Sequence, residues 1–228
     1  MSGDASRQNV SNWVRGYLVG GERVERIAYA APAEWTDLLL GRRRIVYRPQ
    51  AGDPASSEVR VVFPGSFNPL HRGHVRIAEI AAERLGRPVW FEISITNVDK
   101  PSLDFLTLRE RLDQLVGHDV CLTRAPTFVE KAELFPGATF VVGVDTLARI
   151  ADERYYRGKC AGRDAALANL RAANVRFLVF GRMIGNRFAT LADLAVPSTL
   201  AELCEQVPEP EFREDVASTQ IRAKSSHA

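Results

Sequence analysis

The chain has 228 residues, 46% hydrophobic and 25% charged, with a formal net charge of +2. That length suits one α/β domain with a substantial core plus an appendage. The composition excludes a bilayer-spanning chain, and the near-neutral charge removes any global electrostatic case for nucleic acid. The start, MSGDASRQNV, has no basic segment followed by an apolar one, so a cytoplasmic protein is expected. Three cysteines, Cys121, Cys160 and Cys204, stand far apart and read as free thiols, with no C-x-x-C spacing to suggest a metal.

Residues 1–57 say least and are expected to form an N-terminal extension, followed by a main domain over 58–228. GYLVGGERVERIAYAAP suggests a small hairpin at Gly20-Gly21, and RRRIVYRP, Arg42 to Pro49, a short strand. The Arg42–Arg44 run reads as a solvated charge run or a contact between copies in a homo-oligomer, ahead of an anionic partner. AGDPASS, Ala51 to Ser57, has the composition of a linker.

From Val59 onward strands and helices alternate. VRVVF is a nearly continuous apolar strand, followed by a turn and a helix from about Gly73 with Ile77, Ile80, Ala81 and Leu85 toward the sheet. PVWFEISI, Pro88 to Ile95, is a second strand, and a helix begins near Thr107 carrying Arg109 and Arg111. Asp119 to Leu122 and Ala138 to Val142 are a third and a fourth strand, with a helix over Pro126 to Leu134 between them. Ala165 to Ala173 is helical, Val175 to Phe180 a fifth strand, and a last helix opens at about Ser218. This alternation predicts a Rossmann-like, doubly wound parallel α/β sheet of about five strands. An order of 3-2-1-4-5 makes the loops after the first and fourth strands face each other across the switch crevice, where ligands bind.

The first of those loops is the turn after VRVVF. Its residues, Pro64-Gly65-Ser66-Phe67-Asn68-Pro69-Leu70-His71-Arg72-Gly73-His74, put two imidazoles three positions apart at a helix N-terminus. Free backbone N–H groups and the helix dipole favour an anion there, and Gly73 lets a phosphate approach the backbone closely. Taken singly, a histidine at a helix start is as well explained as a cap, and Asn-Pro as a turn; the whole constellation points to a phosphate site. No G-x-G-x-x-G dinucleotide fingerprint follows the strand.

GSFNPLHRGH resembles the signature of the HxGH nucleotidyltransferase superfamily, most closely the nicotinamide and nicotinate mononucleotide adenylyltransferases in a cytidylyltransferase-like branch. Asp215-Val216-Ala217-Ser218-Thr219-Gln220-Ile221-Arg222 is similar to the second signature, ISSTxxR, with Ala217 where a serine is commoner. Gly143-Val144-Asp145-Thr146-Leu147 resembles the GxDxL element, where Asp145 is expected beside the nucleotide sugar, as the cap of the helix it opens, or as both. The resemblance implies catalytic roles for His71, His74, Lys100 and Arg222. It implies ATP binding by Gly65, Ser66, Phe67, Asn68, Gly73, Gly143, Asp145, Arg182, Ser218 and Thr219, and acceptor binding by Asn97, Tyr155 and Tyr156. The two tyrosines stand in for the family's usual stacking aromatics and read equally well as core.

The expected reaction is attack of a mononucleotide phosphate on the α-phosphorus of ATP, with Mg²⁺ carried mainly by phosphates and water and no protein metal site. The expected partners are therefore ATP and a phosphorylated small molecule, with neither nucleic acid nor membrane. Another phosphorylated acceptor, CTP as donor, or a nucleotide-binding regulator without turnover are the alternatives.

Overall fold

Apolar runs that were expected to be buried on both faces assemble into the centre of the protein. The computed structural model describes residues 30–50, 59–96, 101–156, 162–185 and 187–213. Its main sheet has seven strands: β1 (Ile45–Arg48), β2 (Val61–Pro64), β3 (Val89–Ser94), β4 (Val120–Thr123), β5 (Thr139–Gly143), β6 (Arg176–Phe180) and, after a two-stranded ribbon, a short strand at Cys204–Gln206. The ribbon is β7 (Arg182–Ile184) and β8 (Arg187–Ala189), which makes the strand at Cys204–Gln206 β9.

The order is β1-β4-β3-β2-β5-β6-β9. Its middle, β4-β3-β2-β5-β6, is the predicted 3-2-1-4-5, and all four pairings within it are parallel. Order reverses between β2 and β5. Val62 is in register with Trp90 on one side and Phe140 on the other, and Phe140 with Phe177, so one row of side chains crosses the sheet. All four are at most 3% exposed and anchor a core that also takes in Leu147, Leu167 and Leu170. Next along each strand, Phe63, Phe91, Val141 and Leu178 are buried on the opposite face, as the two-residue side-chain period requires.

Two edges were not anticipated. β1 pairs antiparallel with β4, Ile45 against Thr123 through Arg48 against Val120. The strand expected at 42–49 thus sits in the main sheet instead of the separate extension. α1 (Ala33–Leu39) precedes it and buries Trp35 and Leu38. The chain divides into compact units at Pro32/Ala33, so residues 33–48 go with the sheet and not with a 1–57 extension. At the other edge β9 pairs parallel with β6.

α2 (Arg72–Leu85) follows β2. It stops at Gly86, whose φ of 61° is left-handed and costs a glycine nothing. Gly73, Ala78, Ile80 and Ala81 form its buried face, while Ile77 and Leu85, expected toward the sheet, are only half-buried. Arg84 in its last turn bonds Glu205 at 2.6 Å and Glu211 at 2.7 Å, tying the helix to β9 and the chain beyond it. The remaining helices are α3 (Phe105–Asp113), α4 (Phe128–Leu134), α5 (Val144–Ala151), α6 (Gly162–Ala172) and α7 (Ser198–Ala201). Among the described residues, no helix is long and apolar enough to cross a membrane.

Candidate nucleotide site at the switch crevice

β2 and β5 end side by side, and each is followed by a glycine-bearing turn into a helix. After β2, Gly65 donates its N–H to Glu92 O at 3.0 Å, keeping the chain against β3 as it leaves the sheet. Phe67 then takes a positive φ of 43° and turns its ring inward, where it is 1% exposed. A Cβ at position 65 would lie 2.5 Å from the Phe67 ring, so only glycine fits beneath it. The ring meets Phe63, Phe91 and His74 edge-on, with centroids 5.4, 5.1 and 5.2 Å away. The Phe67 side chain forms the bed on which His74 rests, which leaves only the backbone of this residue open to a ligand at the turn.

His71 is the N-cap of α2, extended at φ −144°, and its ring stacks on that of His74 with centroids 3.7 Å apart. The His71 backbone N–H donates to Nδ1 of His74 at 3.3 Å. Burial, then the neighbouring His71, then the Arg182 charge push His74 down to about 3, so its imidazole is neutral at physiological pH. With Nδ1 accepting, the proton of the neutral ring belongs on Nε2, which leaves that atom as a hydrogen-bond donor.

Across the crevice, Gly143 caps α5 and Asp145 lies in its first turn. A Cβ on Gly143 would stand 2.6 Å from Asp145 Oδ1, so the glycine lets the carboxylate fold back over the strand end. Arg182, just past β6, donates to Asp145 Oδ2 at 2.7 Å. Gly181 before it cannot carry a Cβ, which would meet the Phe188 ring at 2.5 Å and Ala189 O at 2.9 Å. Packing against β8 therefore fixes where Arg182 departs. Ser66 and Asn68 are exposed on the turn, and Gly73 is buried under it. Lys100, Asn97, Ser218, Thr219 and Arg222 lie outside the described residues, as does the helix expected at Ser218.

A cavity of about 700 Å³ adjoins this crevice, sharing Gly65, Ser66 and Thr146 with its rim, while His71, His74, Asp145 and Arg182 do not line it. Tyr155 and Tyr156 do. Tyr156 donates its hydroxyl to Ile150 O at 2.9 Å, and burial raises its phenol above the ordinary value. Sequence reasoning missed the cavity's polar floor. Lys131 of α4 donates to both oxygens of Glu92 at 2.7 Å, and Thr123 Oγ1 donates to the same carboxylate; the three residues are at most 5% exposed. The available signal was a lone carboxylate inside FEIS, a strand read as buried, because a buried charge requires a partner. Arg111 and Arg149 also line the cavity.

Among the described residues, no group of three or more His, Cys, Asp or Glu side chains could hold a metal ion. Asp145, the carboxylate nearest the crevice, is engaged by Arg182. A search of curated proteins finds no match. A family model described as cytidylyltransferase-like matches residues 62–224, from β2 through the second signature. With this match over most of its length, the chain belongs to the cytidylyltransferase-like family of nucleotidyltransferases.

Proposed function

We propose that the protein transfers the adenylyl group of ATP to nicotinamide or nicotinate mononucleotide. An oxygen of the mononucleotide phosphate forms a bond to the α-phosphorus, the bond from that phosphorus to the β-bridging oxygen breaks, and pyrophosphate leaves with the electron pair. The nucleophile is already ionised at neutral pH, so no protein nucleophile is needed; catalysis consists of alignment and charge stabilisation.

The observation that carries this reading is the stacked His71–His74 pair at the start of α2, in which His74 Nδ1 accepts the His71 N–H and Nε2 is left to donate. A donor fixed before substrate arrives stabilises developing charge on the α-phosphate without reorganising. His71 holds the phosphate chain, Ser66 and the α2 backbone N–H groups bind its oxygens, and Asp145 with Arg182 borders the nucleoside. The resemblance further assigns Ser218 and Thr219 to the phosphates, and Lys100 and Arg222 to the departing pyrophosphate. Tyr155 and Tyr156 supply the aromatic wall for the acceptor ring in the adjoining cavity. Mg²⁺ is expected to travel with the triphosphate, on phosphate oxygens and water.

The family description favours one second reading, with CTP as donor and a different phosphorylated acceptor. A matrix of nucleoside triphosphates against phosphorylated acceptors, read by pyrophosphate release, separates the two. Release with ATP and a pyridine mononucleotide is the expected result, and His74→Ala should lower turnover by about a hundredfold or more. Release only with CTP, or with no pyridine mononucleotide, would reject the first reading.

A further inference from the structure

Arg182 stands at a corner that is braced from two sides. It opens β7 one residue after the end of β6, whose last residue, Phe180, is in register with Gly143, the cap of the helix that carries Asp145. The corner is therefore part of the crevice rim. Because the guanidinium stands at the end of a long side chain, a small tilt of the backbone here becomes a large displacement at Asp145, and small displacements in a binding site are costly.

One brace is Phe188. It is opposite Met183 in the ribbon, and its ring fills the place of a side chain at position 181, 2.5 Å from where that Cβ would lie. The other is Phe212, which is buried with its ring edge-on to that of Phe180, centroids 5.2 Å apart. Phe212 belongs to the segment after β9. Val207 extends the pairing there by donating its N–H to Val179 O at 2.9 Å, and a turn then brings Glu211 and Phe212 to donate to Pro208 O at 3.0 and 3.3 Å. Two further contacts hold the segment down. Arg84, near the end of α2, donates to the Glu211 carboxylate at 2.7 Å, and Arg213 lies over the Phe188 ring with its guanidinium carbon 5.6 Å from the centroid. Residues 212 and 213 thus join the two braces.

Core filling accounts for Phe212 but not for Phe188. Phe188 is only half-buried and stands outside the core that the main sheet encloses, yet its ring presses on the one backbone position from which Arg182 departs.

We propose that Phe188 and Phe212 are positioning residues for the nucleotide: clamped against Gly181 and Phe180, they set the point from which Arg182 reaches into the crevice and govern nucleotide affinity through that arginine. The inference rests on the placing of the nucleotide at this crevice under the proposed function, and deepens it. The segment that carries Phe212 is also the one that runs on toward the second signature.

Calorimetric titration of the full-length protein, with ATP and separately with CTP, tests this in Arg182→Ala, Phe188→Ala, Phe212→Ala and the two doubles that include Arg182→Ala. Arg182→Ala is expected to weaken ATP binding by about tenfold. Each aromatic variant should lose about threefold or more on its own and nothing further once Arg182 is gone, because residues acting through one group do not add. Phe188→Leu and Phe212→Leu keep the space filled and should retain most of the affinity; where an alanine variant does not fold, the leucine variant enters the same cycle. Losses that multiply with that of Arg182→Ala, or unchanged affinity in folded aromatic variants, would overturn the assignment. If Arg182→Ala weakens ATP and the aromatic variants do not, only this inference falls. Binding of CTP alone sinks adenylyl transfer while the cycle read with CTP still decides the clamp, and binding of neither overturns both.

Discussion

Arg182 reaches Asp145 at 2.7 Å across the mouth of the crevice, and the same guanidinium contributes to keeping His74 deprotonated. One residue past β6 therefore acts on both walls of the site. The pair is about two-fifths exposed on each side, so solvent screens it and its worth to the fold is at most about 1 kcal/mol. Asp145→Ala and Arg182→Ala are expected to move the thermal midpoint by only a few degrees. Each should weaken ATP binding by about tenfold, the value of one charge-assisted contact, in a calorimetric titration. A large loss of stability with unchanged nucleotide affinity would show the bridge to be structural.

His74 makes stability depend on pH. In the unfolded chain its ring takes a proton near the ordinary value of 6.5, whereas in the fold it resists protonation down to about 3. Between those limits the unfolded state holds the extra proton, so this contribution is complete above 6.5 and is lost as pH falls toward 3. Urea midpoints measured across that window should fall with acidification, and His74→Phe should flatten the slope. Nucleotide binding brings negative charge to the ring and should raise its titration point, which NMR of the imidazole would follow.

The Glu92–Lys131 pair predicts a rescue. Lys131→Met leaves a carboxylate buried without its cation, at a cost of about 3–5 kcal/mol. Adding Glu92→Gln removes the stranded charge and keeps an acceptor for Thr123 Oγ1, so the double variant should regain most of the loss in a denaturation series. No recovery would mean that the pair has a role beyond mutual neutralisation.

Gly65→Ala should cost about 1–3 kcal/mol by overpacking, since the added carbon would lie 2.5 Å from the Phe67 ring. Because that ring carries His74, turnover should fall further than stability explains. Phe67→Leu in the same background makes room and should restore the midpoint before it restores activity.

Much of this arrangement was legible in the chain. The five central strands read as apolar runs broken by glycines and helical patterns; the alternation pointed to a parallel sheet, and the order assumed for it is the one observed. The edges were not legible for a physical reason. Cys204–Gln206 is three residues of mixed polarity that pair only because β6 is already in place. Ile45–Arg48 reads as a strand, but nothing local says that it joins β4. The signature turn announced His71 and His74; the role of Phe67 as a support depends on a positive φ at a non-glycine residue, which no pattern in the letters reveals. Glu92 and Lys131 are 39 positions apart and meet only once α4 has packed on the sheet.

Gly65, Phe67 and His74 form a single stack, each shaped to the next. Natural selection can therefore not trade them one at a time. Among drifting copies of such a gene, a swap at the glycine should travel with a smaller residue two places later. A sequence that retains both histidines after losing that match has kept the spelling of the motif while forfeiting its posture.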